Sequence, residues 1–258
     1  PYVAQTNNGT QLFMTDDSQQ GPFQIGFNFC FFGTTYTQFY VGSNGWISFS
    51  AGQSTTFTSQ PIPSAALTVP KNCVMGPWQD WHPGIGGQIR YQVQGVAPCR
   101  KLVVSWIGVP MYSCTNLQGT FHIVLYESTN VIENYIANKP NCLQWQNGTA
   151  TQGLHNLPAT IGIAVPGRNS TAWTTTNNSY RWTPSGPVVT PTLTGNTAAT
   201  LTYQWQVNNA SGSLGWTNVV NGTPANTNYS GGTTATLLVK PADTTVNGYK
   251  FRATVTAA

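Results

Sequence analysis

Charged residues are scarce in this sequence of 258 residues: only 6% are Asp, Glu, Lys or Arg, against roughly 25% in an ordinary soluble protein. The net charge of +4 reflects the small number of acidic residues, six in all, and Arg100-Lys101 is the only adjacent basic pair. Because nucleic-acid binding needs clustered Lys and Arg, the composition argues against such a partner. Solubility must come from Thr, Asn, Gln and Ser, as in many extracellular β proteins.

Long apolar runs and helical periodicity are also missing. No run of 18 apolar residues occurs, so we expect no membrane-spanning helix and no direct membrane insertion. No signal peptide is visible, and the chain starts at Pro1, which suggests a mature or excised segment. No 12-residue window shows a convincing 3.6-residue apolar period with caps, and the best exception is a short helix near Pro63–Leu67.

Catalytic motifs are absent as well, which predicts a non-enzymatic protein. The sequence has no Gly-x-Ser-x-Gly elbow and no phosphate loop, and the glycine-rich run 84–87 does not lead into a helix. Glu127 and Glu133 could face each other as a glycosidase pair. A hairpin pair of surface acids explains these two residues equally well.

Cysteines are few, and their spacing lacks the C-x-x-C pairs of a zinc site. In an extracellular protein, five cysteines predict two disulfides and one leftover thiol. Cys114 and Cys142 flank the predicted strand pair 120–136 and are the first pair we expect. Five reduced, buried thiols are the alternative. The five cysteines are Cys30, Cys73, Cys99, Cys114 and Cys142.

What the sequence does contain is a series of short strand patterns separated by turn signals. This arrangement predicts an all-β sandwich or barrel. A short edge strand is expected around Gln11–Met14. The other candidates are 25–32, 38–42, 45–50, 72–78, 87–94, 101–107, 119–127, 130–137, 160–165 and 179–183.

The most informative segment is Ile25–Phe49, with two aromatic-rich runs of period-two spacing. One face should hold Ile25, Phe27, Phe29 and Phe31, and later Tyr40, Gly42, Ile47 and Phe49. Turns are expected at 33–35 and 43–45, the latter containing the hairpin signal Asn-Gly. Only the turns at 33–36 and 43–45 are expected to be exposed.

This run resembles the opening of nidogen-like (NIDO) extracellular domains: Phe-Phe-Gly, Tyr, then Ser-Asn-Gly-Trp-Ile-Ser-Phe. Three further blocks support the resemblance, at 74–93, 99–142 and 150–184, and the block 99–142 includes FHIVLYE as in the Bacteroidota variant. The resemblance implies a NIDO-like β-sandwich over residues 1–184 and adhesion rather than chemistry. The Bacteroidota version, found in gliding-motility adhesins, implies type IX export and a place on the bacterial outer cell surface.

Composition shifts at the Pro/Gly-rich linker 183–187, and residues 185–258 form a second domain. Its runs LTYQWQV and NGYKFR resemble bacterial immunoglobulin-like domains. Trp205 would be the core tryptophan, and Ala253 stands where the second of the usual paired cysteines falls. Further repeats of the same kind are expected in the chain.

Loop aromatics are candidates for ligand contact, because exposed rings stack on sugar faces. The candidates are Trp78, Trp81, Trp145, Trp173 and Trp216. Structural packing is the competing explanation for each of them, as it is for the strand residues Trp46 and Trp106. A binding site is expected in the loops 78–87, 110–118 and 143–150.

Asp80-Trp81-His82 is the most suggestive polar cluster. Asp80 could accept backbone N–H bonds and fix the glycine-rich loop 83–87. It could instead join Asp16 or Asp17 in a structural calcium site, since calcium takes several oxygen ligands. Asp80 and His82 could also act as a catalytic base and the group that orients it. No other cofactor is expected.

The sequence favours a secreted adhesin segment that presents loops to an extracellular surface, a polysaccharide or another cell-surface protein. A carbohydrate-binding module beside a separate enzyme and a subunit of an extracellular filament are the alternatives. Asp243-Thr244-Thr245 resembles the O-glycosylation signal of Bacteroidota, with Thr244 as the acceptor.

Overall fold

The computed structural model describes residues 1–184, 201–209, 215–221, 228–240 and 246–257. The chain forms two compact units, which the contacts divide into Pro1–Val188 and Val189–Ala258. Most of the predicted linker, and the predicted start of the second domain, lie outside the described residues.

The described residues of the first unit form thirteen β-strands, arranged in two antiparallel sheets. One sheet has the order β1-β6-β7-β8-β9-β13, and the other has the order β11-β10-β5-β4-β3-β2, with β12 paired to β10. In chain order the strands are β1 (Thr10–Leu12), β2 (Gln19–Phe31), β3 (Thr34–Gly42), β4 (Trp46–Ser48), β5 (Cys73–Trp78), β6 (Gln88–Gln94), β7 (Lys101–Met111), β8 (Cys114–Tyr126), β9 (Ile132–Lys139), β10 (Thr149–His155), β11 (Gly162–Ala164), β12 (Thr171–Ala172) and β13 (Thr175–Trp182).

The main core lies between these two sheets, which confirms the predicted all-β sandwich. Phe29 and Val41 from one sheet belong to the same buried cluster as Trp106 and Phe121 from the other. The rings of Trp106 and Phe121 stack with centroids 4.9 Å apart. Apolar side chains on the inner faces of both sheets therefore hold the layers together.

The alternation predicted for β2 is confirmed, whereas that predicted for β3 is wrong by one residue. Ile25, Phe27, Phe29 and Phe31 are all buried in the main core, together with Ile47 and Phe49 further along the chain. In β3, however, the core residues are Phe39 and Val41, and Tyr40 is only half-buried. The register between β2 and β3 shifts between Gln24 and Phe29, so the inward face changes from Tyr36 to Phe39.

The two predicted turns also differ from expectation. The β2–β3 loop is Phe32-Gly33, with φ of +46° and +82°, rather than residues 33–35. Positive φ at both positions suits a two-residue hairpin. The turn 43–45 forms as predicted, but Asn44 is fully buried, so the expectation of an exposed turn there is wrong.

The helix predicted near Pro63–Leu67 does not form. Side chains take up the backbone donors of this segment: Ser64 N–H bonds His155 Nε2 at 3.3 Å, and Ala66 N–H bonds Ser64 Oγ at 3.3 Å. Among the described residues of the first unit, the only helical segments are 3₁₀ turns at Pro83–Ile85 and Gln146–Gly148.

The described residues of the second unit form β14 (Leu201–Asn208), β15 (Thr217–Asn218), β16 (Asn228–Ser230), β17 (Leu238–Lys240) and β18 (Lys250–Ala257). One sheet has the order β15-β14-β18, and β16 pairs with β17. Trp205, expected in the core, is half-buried and donates to the Thr234 carbonyl oxygen at 3.0 Å. Trp205 stands opposite Ala253 in the β14–β18 register.

One of the two expected disulfides is present. Cys114 and Cys142 are joined, with their Cα atoms 5.9 Å apart, as predicted. Cys30, Cys73 and Cys99 are free thiols, so the second disulfide is not formed. Their environments differ: Cys73 is buried, Cys30 is half-buried and Cys99 is exposed.

Candidate functional site

Chain reversals of both sheets meet at one end of the first unit. Because the strands are antiparallel, the connection leading into β2, the β3–β4 turn and the segment after β5 all lie at the same end of the sandwich. The C-terminal ends of β7 and β9 lie at this end too. For β7 this follows from the pairing of Gln88 with Ile107, and for β9 it follows from the Cys114–Cys142 bond. We call this end of the sandwich the loop end. It is formed by residues 13–18, 43–45, 79–87, 111–114 and 140–148.

Three carboxylates come together at the loop end. Asp16 and Asp17 form the turn before β2, and Asp80 follows β5. One carboxylate oxygen from each residue lies within 4.8 Å of the others. Half of the six acidic residues of the chain therefore occupy one small volume.

Asn44 connects the segments that carry these acids. Its side-chain amide donates to Asp17 Oδ1 at 2.6 Å and to the Thr55 carbonyl oxygen at 3.1 Å. Its side-chain oxygen accepts the backbone N–H of Trp81 at 3.0 Å. All three bonds satisfy a fully buried amide, as burial of a polar group requires.

Asp80 is the most deeply buried of the three acids. Trp145 Nε1 donates to Asp80 Oδ2 at 2.7 Å, while Asp80 Oδ1 is buried with no hydrogen-bond partner among the described residues. Burial raises the pKa of Asp80 to about 7, an effect that the Trp145 bond opposes and the charges of Asp17 and Asp16 reinforce. A carboxylate in this position is unstable as an anion unless a proton or a cation accompanies it.

His82 pairs with Asp16 and not with Asp80. His82 Nε2 lies 3.8 Å from Asp16 Oδ2. Burial raises the pKa of Asp16, and the neighbouring His82 acts in the opposite direction. The predicted local arrangement of Asp80 with His82 is therefore wrong, because Asp80 bonds the Trp145 indole whereas His82 lies against Asp16.

Asp80 does not hold the glycine-rich loop through its side chain in the way expected. The bond found for its carboxylate comes from the Trp145 indole, and its backbone carbonyl oxygen accepts the N–H of Tyr112 at 3.1 Å. Asp80 therefore ties the β5–β6 connection to the two loops next to the disulfide.

A group of partly exposed rings lies beside Asp80 and Asp16. Tyr112 and Trp145 have ring centroids 4.9 Å apart, His82 lies 5.6 Å from Tyr112, and Phe57 lies 6.1 Å from Trp145. Leu143, two residues before Trp145 in sequence, is 69% exposed. Aromatic and aliphatic surface of this kind suits contact with another molecule.

The disulfide fixes the loops that bear these rings. Cys114 begins β8 and Cys142 follows β9, so their bond joins the loops of Tyr112 and Trp145. Gln144 Nε2 adds a hydrogen bond to the Ser113 carbonyl oxygen at 3.1 Å. The predicted loop segments 78–87, 110–118 and 143–150 thus meet at the loop end.

The tryptophans proposed for ligand contact divide into two groups. Trp145 is half-buried, but Trp78, Trp81 and Trp173 are buried, so the expectation of exposed rings is wrong for these three. Their indole N–H groups donate to backbone carbonyl oxygens of the first unit. Packing explains them, as it does the fully buried strand residues Trp46 and Trp106.

The remaining acids of the first unit do not form a catalytic pair. Glu127 binds Arg100, with the shortest N···O distance at 2.6 Å. Glu133 accepts from the hydroxyl group of Tyr126 at 2.6 Å and lies 3.3 Å from Arg181. Each carboxylate thus has its own structural partners.

Sequence reasoning missed Asn44 and Tyr112 as parts of the loop end. Asn44 belongs to the hairpin signal Ser-Asn-Gly, which explains its presence without a role in a site. Tyr112 lies between a strand and a cysteine and belongs to no recognisable motif. Gln79 was missed as well: it is buried, and neither side-chain amide atom has a hydrogen-bond partner among the described residues. Thr244, the proposed glycosylation site, lies outside the described residues.

Comparisons with known proteins give one family. A family model with the description "NIDO related" matches residues 1–207. Alpha-tectorin from Homo sapiens and alpha-tectorin from Mus musculus are each 28% identical over 172 residues, covering 57% of this chain. The matched region spans only 8% of the length of these relatives. No solved structure matches the chain significantly.

These relationships point to an extracellular, adhesion-type role, and no enzyme family is indicated. Among the described residues, none of the helices has the length and apolar character needed to span a membrane.

Proposed function

This chain belongs to the NIDO-related family, and on that premise we propose that it is a non-enzymatic segment of a secreted, multidomain cell-surface adhesin. Residues 1–184 are the NIDO-like sandwich, and residues 185–258 are a bacterial immunoglobulin-like domain, the first of further repeats. Its mechanism would be display, with stiff β modules in series that present loops to a surface, a polysaccharide or a partner cell.

The adhesin is of the gliding-motility or attachment type, exported by the type IX pathway to the bacterial outer surface. The sequence blocks that resemble the Bacteroidota variant support this context. The low content of charged residues, 6%, supports it as well, because it reduces electrostatic repulsion from surfaces.

The observation that carries the adhesive role is the set of partly exposed rings at the loop end, held by the disulfide. Tyr112 and Trp145 contact each other, and Leu143 and Ile85 beside them are 69% and 52% exposed. Rigid aromatic side chains lose little entropy on binding and commonly anchor interfaces. The loop end therefore contacts a polysaccharide or another cell-surface protein.

Attachment under flow tests this proposal. Beads carrying the whole chain through a terminal tag are passed over cell-covered glass and over films of cellulose, chitin and agar. Leu143→Asp should lower bead retention about tenfold, because a charge in an apolar contact costs at least 1.4 kcal/mol. Treating the surface with periodate or with protease separates a polysaccharide target from a protein target.

Val96→Asp is the matched control. Val96 is 80% exposed and lies in the β6–β7 connection, at the opposite end of β7 from Met111. Beads with this variant should be retained like wild type. Failure of wild-type beads to bind any of these surfaces, or equal loss with both variants, contradicts the proposal.

A further inference from the structure

We propose that Asp16, Asp17 and Asp80 form a calcium-binding site beneath the rings of the loop end. This site goes beyond the adhesive role and does not depend on it. A calcium ion here would join the turn before β2 to the segment after β5.

The spacing of the three carboxylates fits a shared cation. Their ligand oxygens lie within 4.8 Å of one another. Calcium binds oxygen at 2.3–2.6 Å, so two ligands on opposite sides of the ion stand about 4.6–5.2 Å apart. One ion can therefore contact an oxygen from each of the three residues.

Unpaired oxygen atoms point to a ligand independently of the clustering. Asp80 is 5% exposed, and its Oδ1 has no hydrogen-bond partner among the described residues. Asp16 Oδ1 is buried and unpartnered in the same way. Leaving a buried charged acceptor unsatisfied costs several kcal/mol in general, so such atoms call for a partner.

The charge at this site is not balanced by the groups around it. Among the described residues, the ion pairs join His82 to Asp16, Arg100 to Glu127 and Arg181 to Glu133. Asp17 and Asp80 have no such partner there. Three close carboxylates against one histidine attract a divalent cation.

The ligand chemistry selects calcium over softer metals. The three ligands are carboxylates, and the nearby Cys142 is held in the disulfide, so no thiolate is offered that would favour zinc. Gln79 shares a small pocket with Asp80 and Trp145, and its buried side-chain oxygen has no hydrogen-bond partner among the described residues. Calcium accepts such mixed and irregular oxygen sets more readily than magnesium does.

Thermal unfolding of the whole chain with calcium chloride against EGTA tests the site. Extracellular calcium modules bind at roughly 10⁻⁴–10⁻³ M, so the titration extends to about 10 mM. At 10 mM, which is about ten- to a hundredfold above these Kd values, calcium should raise the Tm of the first unit by roughly 3–10 °C. Calorimetric titration should show about one ion bound per chain.

Asp16→Asn and Asp80→Asn should each lose most of this calcium-dependent shift. Asp80→Asn keeps an acceptor for the Trp145 indole, and both variants should unfold in EGTA at or above the wild-type Tm because repulsion is relieved. Glu127→Gln also removes one negative charge, but its carboxylate binds Arg100 outside the site, so its calcium shift should match wild type.

Several results would overturn the assignment. These are no calcium effect on wild type, an unchanged shift in the two aspartate variants, or an equal shift with magnesium. A Tm loss in Asp80→Asn that is the same in EGTA and in calcium would identify a purely structural carboxylate and would also overturn it.

Discussion

At the scale of single residues, Lys139 is a cation enclosed by protein. Its side chain is fully buried, its Nζ donates to the Trp173 carbonyl oxygen at 2.7 Å, and Nζ lies 4.6 Å from the centre of the Trp173 ring. Burial lowers the pKa of Lys139 to about 7, and the positive charge of Arg168 adds to the effect. This lysine couples folding to pH close to neutrality.

Above pH 7 the folded lysine loses its proton while the unfolded lysine keeps it, so the free energy of unfolding should rise with pH. The slope from pH 7 to 8.5 is at most about 1.4 kcal/mol per pH unit. Lys139→Met should remove this rise in urea unfolding, whereas Lys101→Met should retain it; an identical pH profile for Lys139→Met and wild type would contradict the account.

His122 makes the free energy of unfolding depend on pH in the acidic range. Its Nδ1 lies 2.8 Å from Ser105 Oγ, its Nε2 lies 3.2 Å from the Tyr2 hydroxyl, and burial lowers the pKa of His122 to about 4. Between about pH 6.5 and 4 only the unfolded state gains this proton, so the contribution of His122 to the free energy of unfolding falls as pH falls, whereas the raised pKa of Asp80 acts in the opposite direction.

The loss attributable to His122 should be at most about 1.4 kcal/mol per pH unit across that window. His122→Gln should show a shallower decline in urea midpoints from pH 6.5 to 4. A decline as steep as in wild type would assign the acid sensitivity to other groups.

At the scale of strands, β2 and β10 show what the sequence can predict and what it cannot. The alternation in β2 is local, so it could be predicted, but the bulge that reverses the inward face of β3 depends on pairing with β2. β10 carries the run TATQGLH, which lacks a clear apolar alternation, and it was not predicted as a strand. Its buried Gln152 is satisfied by Asn134 and by Arg168, and these partners are distant in sequence.

The disulfide is the strongest constraint on the strands at the loop end. Cys114 and Cys142 are 28 residues apart, and closing a loop of that size stabilises the folded state by about 3–4 kcal/mol in the chain-entropy model. The double variant Cys114→Ala/Cys142→Ala should lose about that much stability in urea unfolding.

A reductant distinguishes this effect from a packing defect. Dithiothreitol should destabilise wild type and the Cys99→Ser variant, in which an exposed free thiol is removed, but not the double alanine variant. Equal sensitivity of all three proteins to reductant would show that the Cys114–Cys142 bond does not stabilise the fold.

Gly119 in β8 makes room for the ring of Trp81. A Cβ atom added at Gly119 would lie 2.2 Å from that ring, whereas one added at Gly84 would meet only ordinary contacts at 3.5 Å or more. Overpacking of this kind costs about 1–3 kcal/mol. Gly119→Ala should therefore lower the free energy of unfolding by that amount, and Gly84→Ala should change it much less; a neutral Gly119→Ala would contradict the tight packing around Trp81.

At the scale of the whole molecule, the site depends on long-range topology that spacing alone does not reveal. The sequence makes Asp16 and Asp17 candidate calcium ligands because acidic residues are rare in this chain. It makes Asp80 a candidate because Asp80 lies in the polar cluster Asp80-Trp81-His82. The antiparallel order of the strands brings these acids together, and Asn44 links them. The tryptophans could not be sorted from sequence, because a loop residue that turns into the core and one that stays at the surface share the same local pattern.

We propose that the loop end is the surface through which this protein adheres. Hydroxyl-radical footprinting of the whole chain, free and bound to its target surface, tests that claim most directly. The account predicts protection of Tyr112, Leu143 and Trp145, with unchanged oxidation of Leu67 and Val96, which are 89% and 80% exposed at the opposite end. Protection of Leu67 and Val96 with Leu143 and Trp145 still oxidised would contradict it.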